Sequence, residues 1–249
     1  MNATSFRRPE GAPPYVFGHR GVRGAAPENT MAAFELAAQS GADGVELDVR
    51  LCRTGELVVC HDATLTRLTA GRDERKIADL DRVELSRTDV GEGQPVPLLT
   101  TVLDFARDRK LKVNVEMKRD VPSRRLVVRE TARVLTALGA RVADVIVSSF
   151  DPVMIGYFAW LLPAAPRGCL FAADQRWLRS GWMAVPLGAD AVHPEQTLVD
   201  EGRYRNWRSR GKLVNVWTVN DVAEARRLAG LGVDAIITNV PRAIADAVR

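Results

Sequence analysis

Cysteine and histidine are both scarce, at three residues each among 249. Cys52, Cys60 and Cys169 show no C-x-x-C spacing, which excludes a disulfide framework or a zinc ribbon and leaves reduced packing thiols in a reducing compartment. No long apolar run is present either. The longest, residues 153–162, falls far short of the roughly 20 residues a spanning helix needs. No block of Lys and Arg stands out, and 35 cations against 31 acids leave a net charge of only +4, which argues against nucleic acid. The first residues lack the apolar stretch of a signal peptide, so residues 1–13 read as a flexible tail and the expectation is a soluble, cytoplasmic protein. With 46% hydrophobic and 27% charged residues, disorder, collagen and coiled coil are excluded as well.

What is present is alternation. Short β-branched runs at 15–19, 44–50, 112–118, 144–150, 167–172, 191–194, 213–219 and 235–239 read as eight strands. Helix-like stretches fall near 28–40, 98–109, 123–138, 152–162, 175–185, 197–209, 221–230 and 241–248. Ser123, Asp151 (followed by Pro152) and Asp221 stand where N-caps belong, and Gly41, Gly139 and Gly230 where helices end. Eight βα units in a chain near 250 residues predict a single (β/α)8 TIM barrel over 1–249. Residues 46–61 break the rhythm, because two β-rich arms flank Thr54-Gly55 with no helix between. They predict a β-hairpin extending past strand two at the C-terminal face. With Thr54 and Gly55 as a two-residue turn, Asp48 faces His61.

Barrel sites lie at the C-terminal ends of the strands. Polar residues there are His19 and Arg20, Glu46 and Asp48, His61 and Asp62, and Glu116 and Lys118, with His193, Glu195, Trp217 and Asn220 further round. Charges in otherwise apolar strands need partners, because a buried unpaired charge costs several kcal/mol. Three carboxylates, Glu46, Asp48 and Glu116, suit a hard divalent cation, calcium or magnesium, with manganese a third candidate. Two histidines, His19 and His61, suit acid–base work near neutral pH. Arg20 and Lys118 suit a phosphate, one by its fork of donors and the other as a point charge. Together these groups point to phosphodiester cleavage. His193 has no evident partner and reads as structural, and Cys60 as packing.

The sequence resembles the glycerophosphodiester phosphodiesterase family. The likeness lies in Phe17-Gly-His-Arg-Gly21, Ala26-Pro-Glu-Asn-Thr30, Glu46-Leu-Asp48, His61-Asp62, Val115-Glu-Met-Lys118, Asn215-Val-Trp-Thr-Val-Asn220 and the stretch from Gly232 to Asn239. The resemblance implies the barrel and the hydrolysis of glycerophosphodiesters to glycerol 3-phosphate and an alcohol. It makes His19 and His61 the catalytic pair, Glu46, Asp48 and Glu116 the metal ligands, and Arg20 and Lys118 the phosphate-binding residues. It also makes Glu28 and Asn29 supports, with Glu28 able to pair with Arg20, and Trp217 an apolar wall for the substrate. Thr54-Gly55 replaces the family's commoner Asp-Gly turn, and residues 63–97 leave room for only a short lid. That short lid and the apolar segment 153–162 keep open a lysophospholipase D-like cleavage of single-chain phospholipids and a peripheral lipid contact. A non-catalytic phosphodiester-binding barrel stands behind both, because none of the five catalytic and ligand positions is missing. Oligomeric state and headgroup preference are left open.

Overall fold

Val, Ile and Leu fill the alternate positions of the short runs that face the helices, so the strands are buried on both sides, as a parallel sheet wrapped by helices requires. The computed structural model describes residues 4–249. It contains nine strands: β1 (Tyr15–His19), β2 (Gly44–Leu51), β3 (Leu57–Val59), β4 (Lys112–Met117), β5 (Val145–Ser149), β6 (Arg167–Phe171), β7 (Ala191–Pro194), β8 (Leu213–Val216) and β9 (Ala235–Thr238). All but β3 pair in parallel in the order β1-β2-β4-β5-β6-β7-β8-β9, and β9 returns to β1 to close the ring. The helices are α1 (Met31–Gln39), α2 (Arg82–Arg87), α3 (Leu99–Arg109), α4 (Arg124–Thr136), α5 (Pro152–Leu161), α6 (Glu201–Ser209), α7 (Val222–Leu231) and α8 (Pro241–Val248). The chain folds as a (β/α)8 barrel. Ser123, Asp151 and Asp221 accept from the first-turn amides of α4, α5 and α7, each contact worth about 1 kcal/mol.

Four sequence expectations need correction. Residues 175–185 do not form an α-helix but a run of turns with one short 3-10 helix at Trp182–Ala184. Tight turns take over instead: the amides of Leu178, Gly181 and Val185 each donate to the carbonyl three residues back, while Trp182 donates to the carbonyl of Trp177 and Trp207 to that of Ser180. Gly181 stands in the left-handed region (φ 70°) within the stretch, a conformation that ends a helical run.

The hairpin register is also shifted by one residue. Val49 opposes Val59 and Leu51 opposes Leu57, so Asp48 faces Cys60, whose amide donates to the Asp48 carbonyl at 2.9 Å. The loop is Arg53-Thr54-Gly55, closed by Cys52 and Glu56, and Gly55 (φ 90°) supplies the left-handed residue of a three-residue turn.

Residues 63–97 are more than a short lid. Leu65, Ile77, Leu80, Leu85, Val90 and Val96 pack on Val58 and Cys60 as a second hydrophobic cluster beside the barrel. Residues 4–13, finally, are not a free tail. Phe6 is 1% exposed, stacks on Phe17 and belongs to the cluster that fills the lower barrel with Ile146, Leu213 and Ile237. Residues 1–3 of the expected tail lie outside the described residues.

The barrel interior changes character as it rises. Above the apolar cluster come Asn114 with Ser148 (2.8 Å) and His193 with Asn215 (3.0 Å), then the charged residues of the mouth. Strand alternation produces this gradient, since Val45, Leu47 and Val49 face the helices and Glu46, Asp48 and Arg50 face inward.

Candidate active site

The first strand delivers His19 and Arg20 to the mouth. Arg20 sits in the left-handed region (φ 53°), a backbone cost of about 1–3 kcal/mol, which is offset by four contacts. Its amide donates to Glu46 Oε2 (3.1 Å) and its carbonyl accepts from the Asn29 amide (2.9 Å). Its guanidinium reaches Glu28 (2.9 Å) and Asp48 (3.2 Å). Asn29 donates to Asp48 Oδ2 at 2.9 Å.

Glu46, Asp48 and Glu116 are all buried, with one carboxylate oxygen of each within 4.8 Å of the others. Lys118 Nζ lies 2.8 Å from Glu116 and 3.3 Å from Asp48. Burial pushes the Glu46 carboxyl well up from its ordinary value, and the charges of Asp48 and Glu116 push it further. Burial also acts on Asp48, but Lys118 and Arg20 outweigh it and hold that carboxyl low. Three crowded oxygen-donor groups therefore repel one another enough to favour a proton or a cation between them. Asp48 Oδ1 is buried and accepts no hydrogen bond among the described residues, facing only the Lys118 ammonium at 3.3 Å. This donor set fits a hard divalent ion.

Both mouth histidines are held by Nδ1. His19 Nδ1 donates to Asn239 Oδ1 (2.7 Å), and Asn239 is braced by Asn220, which accepts from its amide at 2.9 Å. His61 Nδ1 donates to Asp62 Oδ1 (2.6 Å). Each ring thus keeps Nε2 free for chemistry, and that of His19 lies 3.9 Å from Glu46. Burial and the neighbouring Arg20 lower the His19 pKa to about 4, so its ring is neutral at pH 7. Burial lowers that of His61 as well.

Two residues outside the expected set tie these parts together. Arg67 donates to Asp62 (2.6 Å) and through its fork to Glu28 (2.7 and 3.0 Å), so His61, Asp62, Arg67, Glu28 and Arg20 form one chain of charge-assisted hydrogen bonds. Arg50, buried in β2, donates twice to the His61 carbonyl (2.7 and 2.9 Å) and twice to Asp120. Its inward position on a strand carrying two other inward charges was the available signal.

Trp217 stands at the rim, donates to the His193 carbonyl (2.8 Å) and meets Phe150 edge-on. His193 itself is fully buried below the mouth, and Glu195 instead accepts from the amide of Ala173. The mouth encloses a cavity of about 140 Å³ lined by His19, His61, Glu116, Lys118 and Trp217, a volume suited to a small phosphoester.

Two free imidazole nitrogens, a buried carboxylate trio and two cations at the mouth of a (β/α)8 barrel define the class, an acid–base hydrolase of phosphate esters. The chain belongs to the glycerophosphoryl diester phosphodiesterase family, whose model matches residues 19–243. It is 31% identical over 242 residues to a glycerophosphodiester phosphodiesterase of Caldanaerobacter subterraneus subsp. tengcongensis, covering 94% of this chain and 97% of that one. A glycerophosphodiester phosphodiesterase of Bacillus altitudinis is also 31% identical, over 91% of this chain and 94% of its own. Among solved structures, an Oleispira antarctica phosphodiesterase in complex with its product sn-glycerol-3-phosphate superposes with a TM-score of 0.84 at 27% identity, covering 94% of this chain and 96% of that one.

Proposed function

We propose that this protein hydrolyses glycerophosphodiesters to glycerol 3-phosphate and an alcohol, with His19 and His61 as its acid–base pair. The observation carrying this reading is the convergence of two Nδ1-anchored histidines on three buried carboxylates at one mouth. Glu46, Asp48 and Glu116 would hold one divalent cation, with calcium, magnesium and manganese as the candidates. When bound, that ion supplies fixed positive charge against the phosphate oxygens.

The chain's own residues do the rest. Arg20 and Lys118 orient the phosphate and offset charge that builds in the transition state. One Nε2 removes a proton from the nucleophile and the other donates one to the departing alcohol oxygen, each transfer worth about 10²–10⁴-fold in rate. The Asp62 carboxylate stabilises the imidazolium of His61 when it carries the proton, and Asn239 holds the other ring in register. Trp217 and Phe150 shield the apolar part of the substrate from water.

The test is turnover of glycerophosphocholine and glycerophosphoethanolamine, with lysophosphatidylcholine as comparator, after chelation and after each cation is restored. Glycerophosphodiesters are expected to be cleaved only with a cation present, and faster than the lysolipid. Undiminished activity after complete chelation would remove the metal from the reading. Failure on every diester with every cation would remove the activity.

A further inference from the structure

Among the described residues, six of the eight exposed large hydrophobic side chains lie on three neighbouring segments: the start of α4, the outer face of α5, and the irregular β6–β7 connection. Leu126 is 51%, Val153 75% and Trp177 89% exposed, and all three stand at or near the C-terminal face, on the side of the mouth where Phe150 lies. Trp160 lies two turns from Val153 along α5, and Trp182 and Val185 lie on the β6–β7 connection with Trp177.

These residues are tied to one place. Leu178, adjacent to Trp177, lines a cleft of about 340 Å³ with Pro152, Arg119 and Arg124, and Arg124 bridges α4 to Asp151 at the start of α5 (3.0 Å). Arg119 lies over the Phe150 ring at 5.8 Å, and Phe150 in turn meets Trp217 of the mouth. The cleft is therefore the vestibule of the active site.

The surrounding charge is mostly positive. Arg119, Arg125, Arg176 and Arg179 are exposed, and none of them makes an ion pair among the described residues. The acids nearby are engaged, Asp120 by Arg50 and Asp151 by Arg124, which leaves Asp174 as the opposing charge.

We propose that this rim docks on the surface of an anionic phospholipid bilayer, with the active-site mouth turned toward the lipid. An indole standing almost fully clear of the protein suits a medium that deforms around it, and Trp is favoured at the membrane–water boundary. Unpaired arginines spread around the apolar tips match a diffuse plane of negative charge, whereas a protein partner would answer them with discrete carboxylates. Docked in this way, the mouth receives phosphodiesters released at the bilayer surface without their crossing bulk water.

The experiment is co-sedimentation of the full chain with phosphatidylcholine vesicles containing about one-third phosphatidylglycerol, and with pure phosphatidylcholine vesicles, at about 0.1 M salt. Binding is expected only to the anionic vesicles, with a blue shift of Trp emission and release at high salt. Trp177→Ala should weaken binding about fivefold or more, as expected for a boundary-seeking indole. The pair Arg176→Glu and Arg179→Glu should weaken it at least 25-fold, at about fivefold for each arginine lost. Arg107→Glu with Arg109→Glu, at the opposite end of the barrel, should leave it unchanged, which fixes the orientation. Equal binding to both vesicle types, no binding to either, or indifference to the Trp177 and Arg176/Arg179 changes overturns the proposal. So does a dimer in equilibrium sedimentation that Trp177→Ala dissociates, since the strip would then be a contact between copies.

Discussion

His193 offers a stability measurement whose size follows from its surroundings. It is fully buried, its Nε2 meets Asn215 Nδ2 at 3.0 Å, and its Nδ1 has no hydrogen-bond partner among the described residues. Burial alone lowers its pKa from 6.5 to about 3, so the folded protein keeps this ring neutral where the unfolded chain protonates it. The stabilising difference is complete above pH 6.5 and is lost as pH falls from there toward 3. One proton bound only by the unfolded state gives a slope of about 1.4 kcal/mol per pH unit. Integrating from about pH 7.5 to about pH 5 yields a loss of about 2 kcal/mol from this residue. His193→Gln removes the titration, and every other acid-sensitive group is common to both proteins and cancels in the comparison. Melting temperatures of the two, taken at both pH values, should show wild type losing roughly 4–8 °C more than the variant. Parallel losses would refute the assignment of a neutral buried ring.

Three further outcomes follow from the structure. A Cβ on Gly168 would lie 2.4 Å from His193 Nε2, so Gly168→Ala should cost about 1–3 kcal/mol by overpacking, read by thermal unfolding. Arg50→Met releases the His61 carbonyl and Asp120, and kcat should drop about tenfold with KM little changed, since a misplaced acid–base group taxes the chemical step more than binding. Addition of calcium or magnesium at about 100 times its Kd should stabilise the fold by about 2.7 kcal/mol, and Glu46→Gln should abolish most of that gain in calorimetry.

The parts of this molecule legible from its sequence are those carried by local pattern. Charges at Glu46, Asp48 and Glu116 interrupt apolar alternation, and that conflict marks them as facing a common interior. The barrel follows from eight strand runs with helical stretches between them. What escaped was decided by contacts distant in the chain or by one turn residue. Gly55 in the left-handed region lengthens the hairpin loop and moves Asp48 from His61 to Cys60. Residues 175–185 carry helical periodicity, yet Trp207, more than twenty positions away, claims the Ser180 carbonyl. The roles of Arg50 and Arg67 depend on partners that only the folded hairpin and its second cluster bring near.

Barrel closure by β1 and β9 has a temporal side. His19 takes its orientation from Asn239, 220 positions later, and its strand lies between β2 and β9, the last strand of the barrel. At synthesis rates of about 5–20 residues per second, the N-terminal histidine waits on the order of 10–40 s for that partner. A nascent chain thus carries this residue without its anchor until the last strand of the barrel has been made. A chain truncated before Asn239 lacks the anchor of the His19 ring and so holds no complete pair of oriented imidazoles.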